Sequence, residues 1–145
     1  MDAEKFTKKS LEVIESCEKL AYEYNNQELT QAHLMYALVT VEDSLIAKLL
    51  TNMGINMDAF TGECEKLVAN RPKVSGGQLF TSPEFSKALI QAEKEAKQMG
   101  DDYISVEHIF LGLLEKADKD IKRVINAYGI TTVSYTHLTL PTILL

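Results

Sequence analysis

The chain has 145 residues, 46% hydrophobic and 25% charged, and a formal net charge of −6. That length suits one domain able to bury its own core without staples. The acidic balance argues against nucleic acid as a partner, because phosphate binding rests on Lys and Arg, and no apolar run approaches the roughly 18 residues of a membrane span.

Thr7 is the expected N-cap of a first helix whose apolar positions, Leu11, Val13/Ile14, Cys17, Leu20/Ala21 and Tyr24, recur at helical spacing until Asn25-Asn26. Thr30 caps a short second helix, QAHLMYALV, apolar on nearly every side and therefore expected at the centre of the core. A third helix is predicted over 44–53, stopped by Gly54, and a fourth over 57–70 with Phe60, Cys64, Leu67 and Val68 on one face. Residues 71–83, RPKVSGGQLFTSP, read as a connector. Ser82 then caps a fifth helix with Pro83 in its first turn and a stripe of Phe85, Ala88, Leu89, Ala92, Ala96 and Met99. Ser105 caps a sixth, VEHIFLGLLEKA, and a seventh covers 120–128 before Gly129.

The two halves repeat each other. Residues 7–56 align without a gap on 82–131, an offset of 75, with identities that include Glu18/Glu93, His33/His108, Leu38/Leu113, Asp43/Asp118, Ile46/Ile121 and Gly54/Gly129. Two copies are too few for a solenoid and imply one all-α bundle with internal pseudo-two-fold symmetry. The boundaries are repeat one 7–70, connector 71–81 and repeat two 82–131, within a domain of residues 1–131. An eighth helix matching 57–70 is due after Gly129. However, TTVSYTHLTLPTILL (131–145) has no Asp, Glu, Lys or Arg and lacks the pattern of 57–70. It reads as a tail outside the repeat, and deleting 132–145 is expected to leave the fold largely intact.

Few residues suggest chemistry. His33 and His108 stand three residues after the caps Thr30 and Ser105. Each is expected to bond at its own helix start, where a capping box carries Glu, and no ligand set for a metal accompanies them. Cys17 takes the position of Ala92 and reads as a small core residue. The lone cysteines Cys17 and Cys64 suit a reducing cytosol, and MDAEKFTKKS has charges where a signal peptide needs an apolar stretch. No G-x-x-x-x-G-K-[ST] occurs, so neither ATPase chemistry nor any cofactor is expected of this chain.

The unit [ST]-x-x-H-[LI]-x-x-[AG]-L after an Ala-rich amphipathic helix resembles the Clp N-terminal repeat, the amino-terminal domain of Clp/Hsp100 ATPases. Within that family EKFTKKSLE, HLMYALV, RPKVSGG, SPEFSKAL and GDDYISVEHIFLGLLE are similar to the ClpB group of disaggregases, over roughly residues 3–131. The resemblance implies a pseudo-symmetric bundle of about eight helices, above a hexameric ATPase ring, that engages unfolded or aggregated polypeptide. It also implies substrate-handling roles for Thr7, Asp101 and Glu107, and a groove-facing apolar Leu89. Each has an ordinary structural role as well: helix cap, turn residue, first-turn charge and core stripe. Phe80, beside Leu79 in the connector, is a further apolar candidate. A groove between the two copies is the expected binding surface. The rival function is adaptor docking, as implied for the ClpA and ClpC groups.

Overall fold

The computed structural model describes residues 2–135. After a 3-10 turn at Ala3–Lys5 come α1 (Lys8–Glu23), β1 (Glu28–Leu29), α2 (Gln31–Thr40), α3 (Leu45–Asn52), α4 (Met57–Ala69), β2 (Phe80–Thr81), α5 (Pro83–Gln98), α6 (Val106–Glu115) and α7 (Lys119–Ala127). The fold is all-α; Thr7 and Ser82 cap where the sequence places them, and Ser44 and Asp118 are further caps that it did not name. The hydroxyls of Thr7, Ser44 and Ser82 accept from the N–H groups of Ser10, Ala47 and Phe85, and the Asp118 carboxylate accepts from Ile121. Each bond pairs one of the amides that a helix start leaves free.

The apolar helices α2 and α6 form the centre, with Leu34, Met35, Leu38, Ile109, Phe110 and Leu113 buried. α5 lies unusually close to α6, because Gly112 faces the backbone of Ala88 and Ala92 with no side chain between them. Under the offset of 75, Gly112 corresponds to Ala37, and Ala88 and Ala92 to Val13 and Cys17.

Two short parallel pairings exchange chain between the copies, and the helical periodicity gives no sign of them. β1 pairs with β2 through Glu28/Phe80 and Leu29/Thr81, and an isolated bridge joins Phe6 to Ile104. The bridge is the symmetry mate of Leu29/Thr81, since Phe6 corresponds to Thr81 and Leu29 to Ile104. The bonds repeat as well. Thr7 N–H donates to the Ile104 carbonyl at 3.0 Å, and Ser82 N–H to that of Leu29 at 2.8 Å. Thus the cap residue of α1 is held by the residue before the cap of α6, and the cap residue of α5 by the one before the cap of α2.

Gln31 adds a buried staple across the copies. Its Nε2 donates to the carbonyls of Glu84 (2.9 Å) and Lys116 (2.8 Å), and its Oε1 accepts from Asp118 N–H at 2.7 Å. One side chain thereby fixes the start of α5 and the turn from α6 into α7.

The boundary drawn at residue 131 moves outward. Residues 132–135 form a helical turn. Thr131 Oγ1 accepts from Ser134 N–H at 3.0 Å, as Asn56 Oδ1 accepts from Ala59 N–H at 3.2 Å at the start of α4. Tyr135 is buried against Phe110, ring centres 4.9 Å apart, in the sequence position that mirrors Phe60. The repeat therefore runs on through Tyr135, and the truncation expected to be silent removes a packed ring. The uncharged composition concealed this, because a cap and one aromatic are enough to dock a turn. Residues 136–145 lie outside the described chain.

Among the described residues the buried Tyr135 hydroxyl has no hydrogen-bond partner. A buried orphan polar atom costs about 1–3 kcal/mol. Tyr135→Phe keeps the ring and removes that atom, and is expected to raise Tm by about 2–4 °C. A lower melting temperature in the variant would show that the hydroxyl is paired in solution.

Candidate functional site

The two histidines complete the capping boxes of α2 and α6. Thr30 N–H donates to His33 Nδ1 at 3.0 Å, and Ser105 N–H to His108 Nδ1 at 2.9 Å. With Nδ1 accepting, Nε2 is the donating nitrogen. It reaches Asn26 Oδ1 at 2.9 Å in the first copy and Asp101 Oδ2 at 2.8 Å in the second. Asp101 thus has the same structural task as Asn26, and its carboxylate is otherwise half in solvent.

Burial, with Arg71 as the lesser cause, lowers the His33 pKa from 6.5 to about 4. The unfolded chain takes up this proton near pH 6.5, whereas the folded chain resists it until about pH 4. The contribution to stability is complete above pH 6.5 and declines as pH falls toward 4, by up to about 1.4 kcal/mol per unit. His33→Gln keeps an acceptor at the third helical position and does not titrate. Its unfolding free energy is expected to fall less steeply than that of the wild type over this window. Parallel pH profiles would rule His33 out as the source.

Thr7 and Glu107 come together. They line an open cavity of about 220 Å³ with Lys9, Leu38, Val41, Asp43, Leu45, Ile46, Ser105 and Val106. Its walls are the start of α1, the turn from α2 to α3 and the first turn of α6, so it sits on the seam between the copies. Leu38 and Ile46 are fully buried, whereas Leu45 is 39% exposed at the mouth. Lys9 Nζ crosses to the Glu42 carbonyl at 2.6 Å.

The other candidates lie elsewhere. Leu89 is 8% exposed, at the base of a shallow depression of about 460 Å³ on α5, shared with Lys5, Phe85, Ile90 and Glu93. Lys5 Nζ stands 3.4 Å from Glu93 Oε2 across it. Phe80 is 52% exposed and borders a third cavity of about 190 Å³ with Asn26, Thr30, Arg71, Pro72 and Val74. Asp101 lines none of the three. The sequence reading did not single out Leu45, Val106 or Gln31. The signal for Gln31 was present: it is an amide in an otherwise apolar helix, aligned with a valine.

Cys17 and Cys64 are buried. Desolvation lifts the Cys64 thiol to about 12 and holds that of Cys17 above the usual range, so neither is a ready nucleophile. Among the described residues no three His, Cys, Asp or Glu side chains group as a metal site, and no helix is long and apolar enough to cross a membrane.

The profile of the Clp repeat (R) N-terminal domain matches residues 5–128. The chain belongs to this family. Among its relatives, chaperone protein ClpB of Nitratidesulfovibrio vulgaris is 40% identical over 121 residues, covering 80% of this chain and 14% of the relative. The ClpB of Clostridium tetani is 37% identical over 135 residues, 90% of this chain and 16% of the relative. The chain therefore spans about a seventh of the length of these chaperones and corresponds to a Clp chaperone N-domain. The Hsp104 N-terminal domain from Candida albicans superposes with a TM-score of 0.83 at 20% identity, over 96% of this chain and 91% of that one. A ClpV N-domain in complex with a VipB peptide superposes with a TM-score of 0.73 at 16% identity, over 94% and 86%.

Proposed function

We propose that this Clp N-domain is the non-catalytic client-engagement module of a ClpB-type disaggregase. It takes up exposed apolar segments of unfolded or aggregated polypeptide and presents them to an ATPase ring in the cytoplasm. The observation that carries this reading is the seam cavity, where Thr7 and Glu107 edge an apolar floor of Leu38 and Ile46. Hydrophobic contact is non-directional and suits varied sequences, and the polar rim leaves an extended backbone partly hydrated. The peptide carried by the ClpV N-domain supports the reading at the level of the fold. Leu89 and Phe80, on separate depressions, are assigned secondary contacts along a client. Asp101 is assigned to positioning α6 through His108.

Glu107→Ala tests the site. A first-turn helix charge contributes only about 0.3–1 kcal/mol to stability, so the variant is expected to melt within a few degrees of wild type while losing several-fold in affinity for an unfolded casein chain. Unchanged casein affinity removes Glu107 from the site. Tight binding to a folded adaptor, with no casein binding by the wild type, would instead select the adaptor-docking role.

A further inference from the structure

The seam cavity has a filled twin. Under the offset of 75, the three residues that Gln31 ties together, Glu84, Lys116 and Asp118, correspond to Lys9, Val41 and Asp43, and Gln31 itself corresponds to Val106. All four of those counterparts line the seam cavity. In the second copy the carboxamide of Gln31 occupies the space between the start of one helix and the turn joining two others. In the first copy Val106 stops short of it. The space stays open, the Val41 carbonyl receives no hydrogen bond among the described residues, and the Asp43 N–H donates none. Among the described residues, the polar link across this place is Lys9 Nζ to the Glu42 carbonyl, one residue before Asp43. The turn also differs: Asp43 has φ 54°, whereas Asp118 is extended at φ −75° and caps α7.

The geometry points to the seam cavity as a receptor for a primary carboxamide, the side chain of Gln or Asn in an extended client, which enters where Gln31 enters in the other copy. This rests on the client-engagement reading and names the chemistry that the site selects. A carboxamide carries both donors and an acceptor, the combination that can pair with both the carbonyl of Val41 and the amide of Asp43, two residues that line the cavity. An aliphatic side chain fills the apolar part over Leu38 and Ile46 and forms neither bond. A carboxylate cannot donate to the Val41 carbonyl, and it meets two carboxylates, Glu107 and Asp43, against one ammonium, Lys9, which is already engaged by the Glu42 carbonyl and by Glu12.

The test uses three fluorescently labelled twelve-residue peptides, apolar and identical except for a central Gln, Leu or Glu. Each is titrated into the full chain by anisotropy, then into Val106→Gln. A net hydrogen bond is worth a factor of roughly two to ten, so the Gln peptide is expected to bind about five- to tenfold more tightly than the Leu peptide and more tightly still than the Glu peptide. Val106→Gln is expected to fill its own cavity and abolish the preference. Equal binding of the Gln and Leu peptides by the wild type overturns the carboxamide assignment while leaving client engagement standing, and that comparison does not depend on how the variant folds. A preference that persists in folded Val106→Gln overturns the placement in this cavity. Failure of all three peptides to bind overturns both readings.

Discussion

Gly112→Ala is expected to lower stability by a net of about 2 kcal/mol. The new Cβ would be driven into the Ala88 carbonyl oxygen and to within 2.7 Å of the Ala92 nitrogen. Both are backbone atoms of α5, so no rotamer change relieves the clash and the whole α5–α6 pair must separate. Overpacking of this kind costs about 1–3 kcal/mol where side chains can yield, and a rigid helix backbone places this case at the upper end. The gain in helix propensity on replacing glycine, about 1 kcal/mol, opposes but does not cancel it. The expected fall in Tm is about 4–8 °C. Gly62→Ala in α4 is the control, because nothing lies within 4 Å of its would-be Cβ. That change is expected to raise Tm slightly. A Gly112→Ala protein that melts with the wild type would mean that α5 and α6 are farther apart than described.

Gln31→Leu is expected to cost a similar amount, about 2–4 kcal/mol, although the side-chain volume barely changes. Leucine removes all three bonds made by the amide and leaves the Asp118 N–H and the Lys116 carbonyl without their partner. Each such group, once buried and unpaired, costs about 1–3 kcal/mol. The Glu84 carbonyl suffers less because it lies within the first turn of α5. Urea unfolding gives the magnitude, and hydrogen exchange gives the mechanism. The Asp118 amide is expected to lose protection far more than amides in the middle of α1. A loss below about 1 kcal/mol with unchanged exchange at Asp118 would show that the staple is decorative.

Much of the fold was legible in the sequence because helices announce themselves locally. Thr7, Thr30, Ser82 and Ser105 are caps by residue type and position, and the stripe of α5 sits at the expected spacing. The histidine capping boxes were legible too, since both partners lie three residues apart. What depended on distant partners was not. The exchanged pairings of Phe6 with Ile104 and of β1 with β2 are too short to show any alternation. The docking of Tyr135 was hidden by a composition unlike that of a surface helix. For the site, Thr7 and Glu107 share a cavity, but Leu89, Phe80 and Asp101 do not join it. Periodicity shows which face of a helix is apolar, and cannot show which faces meet at a seam. The most informative difference between the copies, Gln31 against Val106, was open to direct reading in the alignment. Its meaning depended on knowing which three backbone groups the amide reaches.

The central claim is that the seam between the copies receives unfolded polypeptide. It is tested most directly by titrating the 15N-labelled chain with an unfolded casein fragment and following its amide resonances. The account predicts saturable, fast-exchange shifts concentrated at Thr7, Asp43, Leu45, Val106 and Glu107, with a Kd on the order of 10 μM to 1 mM, as suits one small site paying the ordering entropy of a disordered partner. Shifts confined to surfaces away from the seam, or a silent spectrum beside nanomolar binding of a folded adaptor, would contradict it.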